Sequence, residues 1–414
     1  MKILLIHQYF KENDIKGGAR FNEMARIWKE EGHEVTVIAG NLDGPTAKKN
    51  QKYKGRTVSK NDQNGIKVYR CNVSESYNKS FLGRLWAYFS FVFSSTYAGL
   101  FKVSEKYDVI LVTSPPLFVG ITGCILSFFK RKPLVFEVRD LWPESAIDTG
   151  VITNKLIIKF AFWFEKFVYK RARLINVLTP AFKSKLIEEK NVPESKILFI
   201  PNAADFDMTD DMLDNFDALT FKKEKGLDGK FVFTYVGAHG VANDLEQLLQ
   251  TALRIKDERV LFLLIGDGMK KQELKSTAVE MNIRNVIFLD SMPKIEALKY
   301  VAASDVGVSV LKKVDTFKTI YSNKTFDYMS CKKPILLAID GVSRKLVEKA
   351  DCGIYVEPEN IDSIVKGVNY FANLNPETIF TLGDNGYTFA KANFDRSKLA
   401  LQYINDIKTK LALN

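Results

Sequence analysis

The chain is poor in the residues that metal sites and disulfide frameworks require. Its 414 residues include only three histidines and four cysteines. The cysteines are widely spaced, at Cys71, Cys124, Cys331 and Cys352. Their spacing fits no metal site, and free buried thiols in a reducing compartment are expected. No apolar run reaches the roughly eighteen residues of a membrane-spanning helix, and the short apolar start is typical of a first strand, not of a signal peptide. We therefore expect a cytoplasmic protein.

Acidic residues are scarce in the first half of the chain. Residues 1–200 hold 32 Lys and Arg against 19 Asp and Glu, a net charge of +13, whereas the remainder holds 28 against 30, a net charge of −2. A basic half suits nucleic acid, anionic lipid or a diphosphate-bearing substrate, or it serves solubility alone. The aromatic and glycine motifs of RNA-binding sheets are missing from this half, so we expect no nucleic-acid partner.

Strand and helix patterns alternate along the whole chain. The alternation predicts parallel sheets built from β-α-β units, and the length predicts two Rossmann-like domains. The polar, acidic stretch 205–230 indicates a linker. We place one domain at 1–202 and the other at 203–389. The closing helix, 390–412, either stays with the second domain or returns to pack on the first. In such folds ligands bind at the carboxyl ends of strands and between the domains.

Residues 320–338 carry the most specific pattern. The polar turn Ser322-Asn323-Lys324 leads into a predicted helix with Asp327 one turn further on, and an apolar strand follows. A helix start presents N–H groups and a positive dipole end to a phosphate, and Lys324 adds a cation. Asp327 is placed to accept hydrogen bonds from ribose hydroxyls. The segment predicts a nucleotide-diphosphate site, and the alternative is an ordinary loop, helix and strand.

Two glycine-containing turns follow strands in the second half. Gly237 and Gly240 flank His239, and Gly266 follows the next strand. Glycine allows the backbone to approach a phosphate closely, but such glycines also form ordinary turns. His239 either donates a hydrogen bond to a phosphate or leaving group, or is simply a loop histidine.

Lysines cluster just before the 320–338 segment. Stabilising a departing diphosphate without a metal needs cations or oriented N–H donors. The local supply is Lys312, Lys313, Lys318 and Lys324, of which Lys324 is our first choice and Lys312 the second.

Charged residues also crowd the end of a strand in the first half. Around Trp142 the sequence places Glu137, Arg139, Asp140 and Glu144. Such charges are costly beside an apolar strand unless they pair or bind a ligand. Trp142 offers a flat face for a sugar ring, and the alternative is an internal Arg–carboxylate network.

Two further features of the first half have open interpretations. Arg20, which follows the Gly17-Gly18 turn, contacts an anion or lies on the surface. The segments 79–93 and 155–171 mix bulky aromatics with cations. They either pack in the core or lie in a bilayer interface.

Three of these stretches resemble motifs of the family 4 retaining glycosyltransferases. Residues 322–334 are similar to the donor-site signature of that family, and 266–268 to its Gly-x-Gly turn beside the nucleotide. Residues 139–145, Arg-Asp-Leu-Trp-Pro-Glu-Ser, are similar to a stretch of bacterial members that build capsule and O-antigen. The resemblance extends over nearly the whole chain and is closest to transferases of N-acetyl-L-fucosamine type.

The resemblance implies a GT-B fold, in which two Rossmann-like domains face each other across a cleft. It implies transfer from a UDP-sugar to a polyprenyl-diphosphate-linked glycan, with retention and without a metal or other cofactor. An enzyme of this kind is expected at the inner face of the cytoplasmic membrane, in peripheral contact with anionic lipid.

The motifs and the resemblance together assign roles to individual residues. Donor-binding candidates are Gly17, Gly18, Gly237, Gly240, Gly266, Met292, Lys312, Thr319, Ser322, Asn323, Lys324 and Asp327. Catalytic candidates are Asp140, Glu144 and His239, and acceptor-binding candidates are Arg139 and Trp142. Where the family has a Glu-x7-Glu pattern, this chain has Thr319 and Asp327, so the residue that replaces the first glutamate is open. Val241 and Ala242 also stand where the family has Arg and Lys.

Two other functions compete with this one. One is a UDP-sugar 2-epimerase of the same layout, which needs acidic residues and histidines for proton abstraction, and of the histidines only His7 and His239 fall at strand ends. The other is a non-enzymatic protein that binds membranes through its basic half.

Overall fold

The computed structural model describes residues 1–12, 20–43, 48–76, 81–148, 150 and 152–413. The chain forms two compact units. The first contains the described residues up to Pro201 together with those from Ser397 onward, and the second contains residues 202–396. Each unit is built around one mainly parallel sheet, so the predicted two-domain α/β fold is confirmed.

The first unit holds an eight-stranded sheet in the order β10-β9-β8-β7-β1-β2-β6-β5, in which the β5–β6 pair is antiparallel and the others are parallel. Its strands, with the small hairpin β3–β4, are β1 Lys2–Ile6, β2 Glu34–Gly40, β3 Leu42–Asp43, β4 Lys48–Lys49, β5 Val58–Gln63, β6 Ile66–Cys71, β7 Val109–Ser114, β8 Leu134–Val138, β9 Leu174–Val177 and β10 Ile197–Phe199. Its helices before the second unit are α1 Arg20–Glu30, α2 Phe81–Tyr97, α3 Val119–Lys130, α4 Glu144–Asp148, α5 Lys155–Arg171 and α6 Pro180–Glu188. Short 3-10 turns occupy Gln51–Tyr53 and Glu194–Lys196, and a π-helical turn at Ala98–Lys102 extends α2.

The second unit holds a fully parallel six-stranded sheet in the order β13-β12-β11-β14-β15-β16. Its strands are β11 Phe231–Val236, β12 Val260–Ile265, β13 Val286–Leu289, β14 Val306–Val310, β15 Ile335–Ala338 and β16 Gly353–Tyr355. Its helices are α7 Phe206–Asp214, α8 Ala218–Glu224, α9 Glu246–Arg254, α10 Lys271–Glu280, α11 Lys294–Ala302, α12 Asn323–Ser330, α13 Val342–Lys349, α14 Ile361–Ala372 and α15 Pro376–Asn393, with a 3-10 turn at Asp315–Thr319.

The last helix, α16 (Arg396–Leu411), belongs to the first unit from Ser397 onward. It packs against α1, where the indole N–H of the fully buried Trp28 donates to the carbonyl of Ala400 at 2.8 Å. The ring of Tyr403 lies 6.0 Å from the Trp28 ring. The C-terminal end of the chain therefore completes the core of the N-terminal unit.

The stretch 205–230 is not the linker that its composition indicated, because it forms α7 and α8. Asp205 accepts a hydrogen bond from the amide of Met208, and Asp217 accepts from the amide of Leu219. Two of the polar residues that resemble linker composition are thus N-caps, which hold first-turn amides of two short helices.

The sequence pattern predicts a helix over 242–254 with Asn243 or Asp244 as its cap, but α9 begins later, at Glu246. Leu245 occupies the N-cap position without a side-chain hydrogen bond. Asp244 has a φ of +47°, a left-handed conformation that cannot be part of an α-helix. The four residues before Leu245 therefore form a turn at the edge of the sheet.

The described helices include none with the length and apolar character needed to cross a bilayer.

Candidate functional site

The turns that follow β11 and β12 lie against each other at the carboxyl edge of the second sheet. The amide of Gly237 donates to the carbonyl of Ile265 at 2.9 Å. A Cβ atom on Gly266 would lie 1.8 Å from the Gly237 carbonyl oxygen, and one on Gly268 would lie 2.5 Å from that of His239. Both positions therefore require glycine, because the two backbones leave no room for a side chain.

His239 lies on this turn with its side chain fully buried. Its ring is 6.2 Å from the rings of Tyr235 and Phe288, and neither ring nitrogen has a hydrogen-bond partner among the residues that the structure describes. Burial, with a smaller contribution from the charge of Lys271, lowers the pKa of His239 to about 4. The imidazole is therefore neutral at pH 7, with one nitrogen able to donate and the other able to accept a hydrogen bond.

Helix α12 begins with an N-terminus that its own cap residue does not close. Ser322 is the N-cap, but its side chain makes no capping hydrogen bond. Instead its hydroxyl accepts a hydrogen bond from Ser309 at 2.8 Å, and its amide donates to the hydroxyl of Ser343 at 3.2 Å. The amide of Thr325 donates to the carbonyl of Ser322 at 3.1 Å, but no side chain that the structure describes caps the helix, so its positive dipole end suits an anion.

Lys324 brings a positive charge to the Gly237 turn. Its Nζ lies 4.9 Å from the centre of the Tyr235 ring, and a Cβ on Gly237 would lie 3.2 Å from its Cε. Burial lowers the pKa of Lys324 to about 8, although the carboxylate of Asp327 acts in the opposite direction. The ammonium has lost water without gaining a close anion, so a bound phosphate would stabilise its charged form.

Asp327 and Tyr328 fix the next turn of α12. The Asp327 carboxylate is 3.9 Å from the ammonium of Lys294, and about a third of the side chain is exposed. The hydroxyl of Tyr328 donates to the carbonyl of Val308 at 2.8 Å and accepts from the amide of Val236 at 3.1 Å. Helix α12 is therefore fastened to the ends of β11 and β14, and this role of Tyr328 was missed from the sequence.

Lys271 is a second residue that sequence reasoning missed. This buried lysine donates to the carbonyls of Gly266 (2.7 Å) and Leu289 (3.0 Å) and pairs with Asp290 at 2.5 Å. It holds together the ends of β12 and β13. Nothing in the sequence distinguishes it from a surface lysine at the start of a helix.

Lys312 joins the same edge from the loop after β14. Its amide donates to the carbonyl of Ala242 at 3.0 Å, and its charge counteracts the burial that raises the pKa of Asp244. The two lysines nearby are paired, Lys313 with Glu357 (2.7 Å) and Lys318 with Asp315 (2.8 Å). A pocket of about 260 Å³ opens beside these lysines, with Phe317, Asp340 and Tyr355 also in its wall.

The remaining predicted donor residues occupy varied surroundings. Gly240 accepts a hydrogen bond from the amide of Asn243 within the turn, and Asn323 is exposed at the start of α12. Met292 packs on a small apolar cluster that includes Ile265. The hydroxyl of Thr319 donates to the carbonyl of Thr316 at 2.6 Å. Gly17 and Gly18 lie outside the described residues. The structure thus brings Gly237, His239, Gly266 and Lys324 into direct proximity.

In the first unit, Asp140 and Trp142 follow the end of β8. Burial raises the pKa of Asp140, whose carboxylate accepts a hydrogen bond from the hydroxyl of Ser145 at 2.8 Å. The half-buried Trp142 meets the ring of Phe118 edge-on at 5.4 Å. Arg139 lies close enough to His7 for its charge to add to the burial that lowers the His7 pKa.

Two further carboxylates of the first unit, Glu144 and Glu165, pair with the same lysine. Glu144 forms an ion pair with Lys190, which also pairs with Glu165 at 2.7 Å. Burial raises the pKa of Glu165 to about 7 even though Lys190 opposes the shift. Glu144 thus has an internal partner, but the cation is a lysine and not the arginine of the Arg–carboxylate network that the sequence left as an alternative.

Arg20 is not a surface residue. It is buried and pairs with the fully buried Glu137 at 3.0 Å, and it donates to the carbonyls of Ile200 (2.7 Å) and Pro201. Asn176 completes the arrangement by donating to Glu137 at 2.9 Å. The alternative of a surface position is therefore wrong, and the anion that Arg20 contacts is the internal carboxylate of Glu137.

Comparison with known proteins identifies the class of these two units. Residues 17–203 match the family model described as the glycosyl transferase 4-like domain, and residues 230–373 match that of the glycosyl transferases group 1. Together the two matches span most of the chain. The protein belongs to the glycosyltransferases and is an enzyme of that class.

Named relatives resemble the chain at low identity. WcaI of Escherichia coli strain K12, whose name provisionally assigns it to colanic acid biosynthesis as a glycosyl transferase, is 23% identical over 99% of this chain and 100% of its own length. WbjE of Pseudomonas aeruginosa, named as a probable glycosyltransferase, is 23% identical over 82% of this chain and 81% of its own length.

Solved structures share the fold. Sucrose-phosphate synthase from Thermosynechococcus elongatus aligns over 100% of both chains with a TM-score of 0.72 and 15% identity. HepE from Anabaena, solved in complex with UDP and glucose, aligns over 99% of this chain and 100% of its own with a TM-score of 0.71 and 18% identity. The predicted GT-B fold is therefore confirmed.

Proposed function

We propose that the protein transfers a sugar, with an N-acetylated amino sugar as the first candidate, from a UDP-sugar to a lipid-linked glycan in surface polysaccharide biosynthesis. Anomeric configuration is retained and no metal takes part. The acceptor class is drawn from the resemblance of residues 139–145 to bacterial O-antigen and capsule enzymes. The assignment of WcaI to colanic acid, another surface polysaccharide, supports the same kind of product.

One observation carries the donor assignment. At the carboxyl edge of the second sheet, the Gly237 and Gly266 turns, the open N-terminus of α12 and the ammonium of Lys324 converge. Amide donors, a helix dipole and a desolvated cation form the combination that binds a phosphate group. The HepE complex, in which a protein of this fold holds UDP and glucose, supports a nucleotide diphosphate as the ligand.

Each residue at this edge has its own role in the departure of the diphosphate. The Lys324 ammonium and the α12 amides stabilise the negative charge that develops on the leaving diphosphate, which takes the place of a metal. His239, neutral at pH 7, donates an N–H to the same group or to the transferred sugar. Asp327, with its partly exposed carboxylate, holds the ribose hydroxyls.

On the acceptor side, Asp140 and Trp142 are the first choices. Trp142 supplies an apolar face for a sugar ring, and burial raises the pKa of the Asp140 carboxyl. Glu144 is a weaker candidate because its charge is already used in the ion pair with Lys190. We assign Arg139 to contacts with an acceptor phosphate.

Nucleotide-dependent thermal stabilisation tests the donor assignment. With EDTA present, UDP should raise the melting temperature more than GDP or ADP, because the proposed donor is a UDP-sugar. A ligand at about a hundred times its Kd adds about 2.7 kcal/mol to the free energy of unfolding. No shift with any of the three nucleotides at millimolar concentration would overturn the proposal. Incubation with UDP-N-acetylglucosamine alone, followed by a search for a new epimer, separates transfer from the epimerase alternative.

A further inference from the structure

Three helical segments of the first unit expose large aromatic side chains. They are α2 with its π-helical turn, α3 and α5, called here the aromatic face. Its exposed rings include Trp86, Phe93, Phe101, Phe128, Phe160 and Trp163. Along α2, Trp86 and Phe93 are seven residues apart, as are Leu156 and Trp163 along α5, so each helix presents its apolar side chains on one side. Rings this exposed are costly in water unless another surface covers them.

The helices of this face are packed against one another rather than scattered. The hydroxyls of Ser95 on α2 and Thr122 on α3 lie 2.9 Å apart. Close to them, a Cβ on Gly99 would lie only 2.3 Å from a methyl group of Leu126. At the end of α3, the ammonium of Lys130 donates to the carbonyl of Val103, directly after the π-helical turn. The ends of α2 and α3 that carry Phe101 and Phe128 are therefore neighbours.

A chain of ring contacts joins α2 to α5. Phe118, directly before α3, lies 5.0 Å from Phe89 of α2 and 5.7 Å from Phe164 of α5. Phe89 contacts the exposed Phe93 at 6.4 Å, and Phe164 contacts the exposed Phe160 at 6.3 Å. The exposed rings of the two helices are thus the outer ends of one continuous aromatic cluster.

The charge of the aromatic face has a single sign. The segments 81–102, 119–132 and 155–171 contain two, three and five Lys or Arg, and their one acidic residue is Glu165. Glu165 is buried and paired with Lys190. The exposed charge of these segments is therefore wholly positive, and it surrounds the exposed rings.

We propose that the aromatic face docks on an anionic lipid bilayer, with its rings in the interface and its cations against the headgroups. Interleaved aromatic and basic residues on helices are the composition that binds such interfaces. A second copy of this chain is a poorer occupant, because a symmetric interface would bring like charges together.

Trp142, an acceptor-side residue, adjoins the aromatic face. Its ring contacts Phe118, the same residue that joins α2 to α5. A docked bilayer would thus lie next to the acceptor-side residues, where a lipid-linked acceptor is delivered from the membrane. This last step rests on the proposed function, whereas docking itself does not.

Vesicle flotation with the full chain tests the docking. The chain should float with vesicles enriched in phosphatidylglycerol, bind much less to vesicles of phosphatidylcholine alone, and be released by high salt. The double variant F93S/W163S should bind about tenfold more weakly. The double charge reversal K159E/K166E should weaken binding at least as much, since each cation near the headgroups contributes roughly fivefold.

Matched variants in the second unit serve as controls. Phe380 is 65% exposed and Phe93 63%, and Leu219 is likewise exposed, so F380S/L219S removes comparable apolar surface. K223E/K345E reverses two exposed lysines in the same way. Both controls should float like the unchanged chain, and all variants should keep its melting temperature.

Three outcomes would overturn the proposal. The first is that the unchanged chain binds no anionic vesicle, and the second is that the control variants lose binding as strongly as the variants of the aromatic face. The third is a dimer, detected by size-exclusion chromatography with light scattering, that F93S/W163S dissociates, which would assign the face to a second copy. None of these results depends on the response to UDP, so failure of the docking and failure of the donor assignment remain distinguishable.

Discussion

The ammonium of Lys324 lies over the ring of Tyr235, with its Nζ 4.9 Å from the ring centre. The ammonium also donates to the hydroxyl of Ser322 at 3.5 Å, and both the ring face and the hydroxyl are weak partners compared with a carboxylate. Asp327, the one acidic residue of α12, opposes the effect of burial on Lys324 only in part. Among the residues that the structure describes, Lys324 therefore has no close anion and is available to a bound one.

Replacement of Lys324 by Met should weaken UDP binding by about ten- to a hundredfold, because a charge-assisted hydrogen bond contributes about 1.5–3 kcal/mol. Isothermal titration calorimetry measures the change. The same substitution at the exposed Lys345 is the control and should leave the affinity unchanged. Equal affinity of K324M and the unchanged chain would remove Lys324 from the donor site.

UDP affinity should also depend on pH through Lys324. Its pKa of about 8 in the free protein means that the ammonium is charged below that pH and is lost above it. Affinity should therefore fall as the pH rises from 7 to 9. Titrations across this range check the effect, and K324R, which stays charged, should bind UDP with a flatter profile. A wild-type profile as flat as that of K324R would contradict the assignment.

His239 should not produce a pH-dependent step in activity near its usual range. Its pKa of about 4 keeps the ring neutral from pH 6 to 8. If the neutral ring donates to the leaving group, H239F should lower kcat by about a hundredfold, and H239Q, which keeps an N–H donor, should retain more activity. UDP release from the donor selected by the nucleotide panel provides the assay. An activity limb near pH 6.5 that disappears in H239Q would show that the histidine titrates instead.

Gly266→Ala should destabilise the second unit. The new Cβ would meet the Gly237 carbonyl oxygen at 1.8 Å, so the two turns must move apart, at a cost of about 3 kcal/mol. Gly240→Ala is the matched control, because its Cβ would meet its nearest neighbour at an ordinary 3.5 Å. Thermal unfolding compares the two, and equal melting temperatures would mean that the turns are not in contact in solution.

Arg20→Met should lower the free energy of unfolding of the first unit by about 3–5 kcal/mol, because it leaves the buried Glu137 without its cation. Arg26 on the same helix forms only an exposed pair with Glu30, so Arg26→Met should cost at most about 0.5 kcal/mol. Urea denaturation measures both values. If R20M lost no more stability than R26M, the buried pair would have no structural role.

Most of the fold can be predicted from the sequence because each strand is a short apolar run bounded by polar turns. The apolar runs predict strands at 231–236 and 334–338, and β11 and β15 lie at Phe231–Val236 and Ile335–Ala338. Prediction from sequence fails where one composition is typical of two kinds of structure. Asp205 and Asp217 are typical of linkers and of helix caps alike, and only the packing of α7 and α8 decides between them.

Only the part of the candidate site that is local in the sequence could be predicted. Lys324 and Asp327 were found because their motif is local, a turn followed by a helix. The burial of His239 and the contact between its turn and Gly268 depend on two strands that are adjacent only in the folded sheet. The partner of Arg20 could not be predicted because that residue, Glu137, lies more than a hundred residues away.

The packing of α16 on Trp28 also has a consequence for biosynthesis. Because residues from Ser397 onward complete the N-terminal core, that core stays unfinished until the ribosome has also made the second unit. A truncated product ending anywhere before α16 would expose the indole of Trp28 and attract proteolysis.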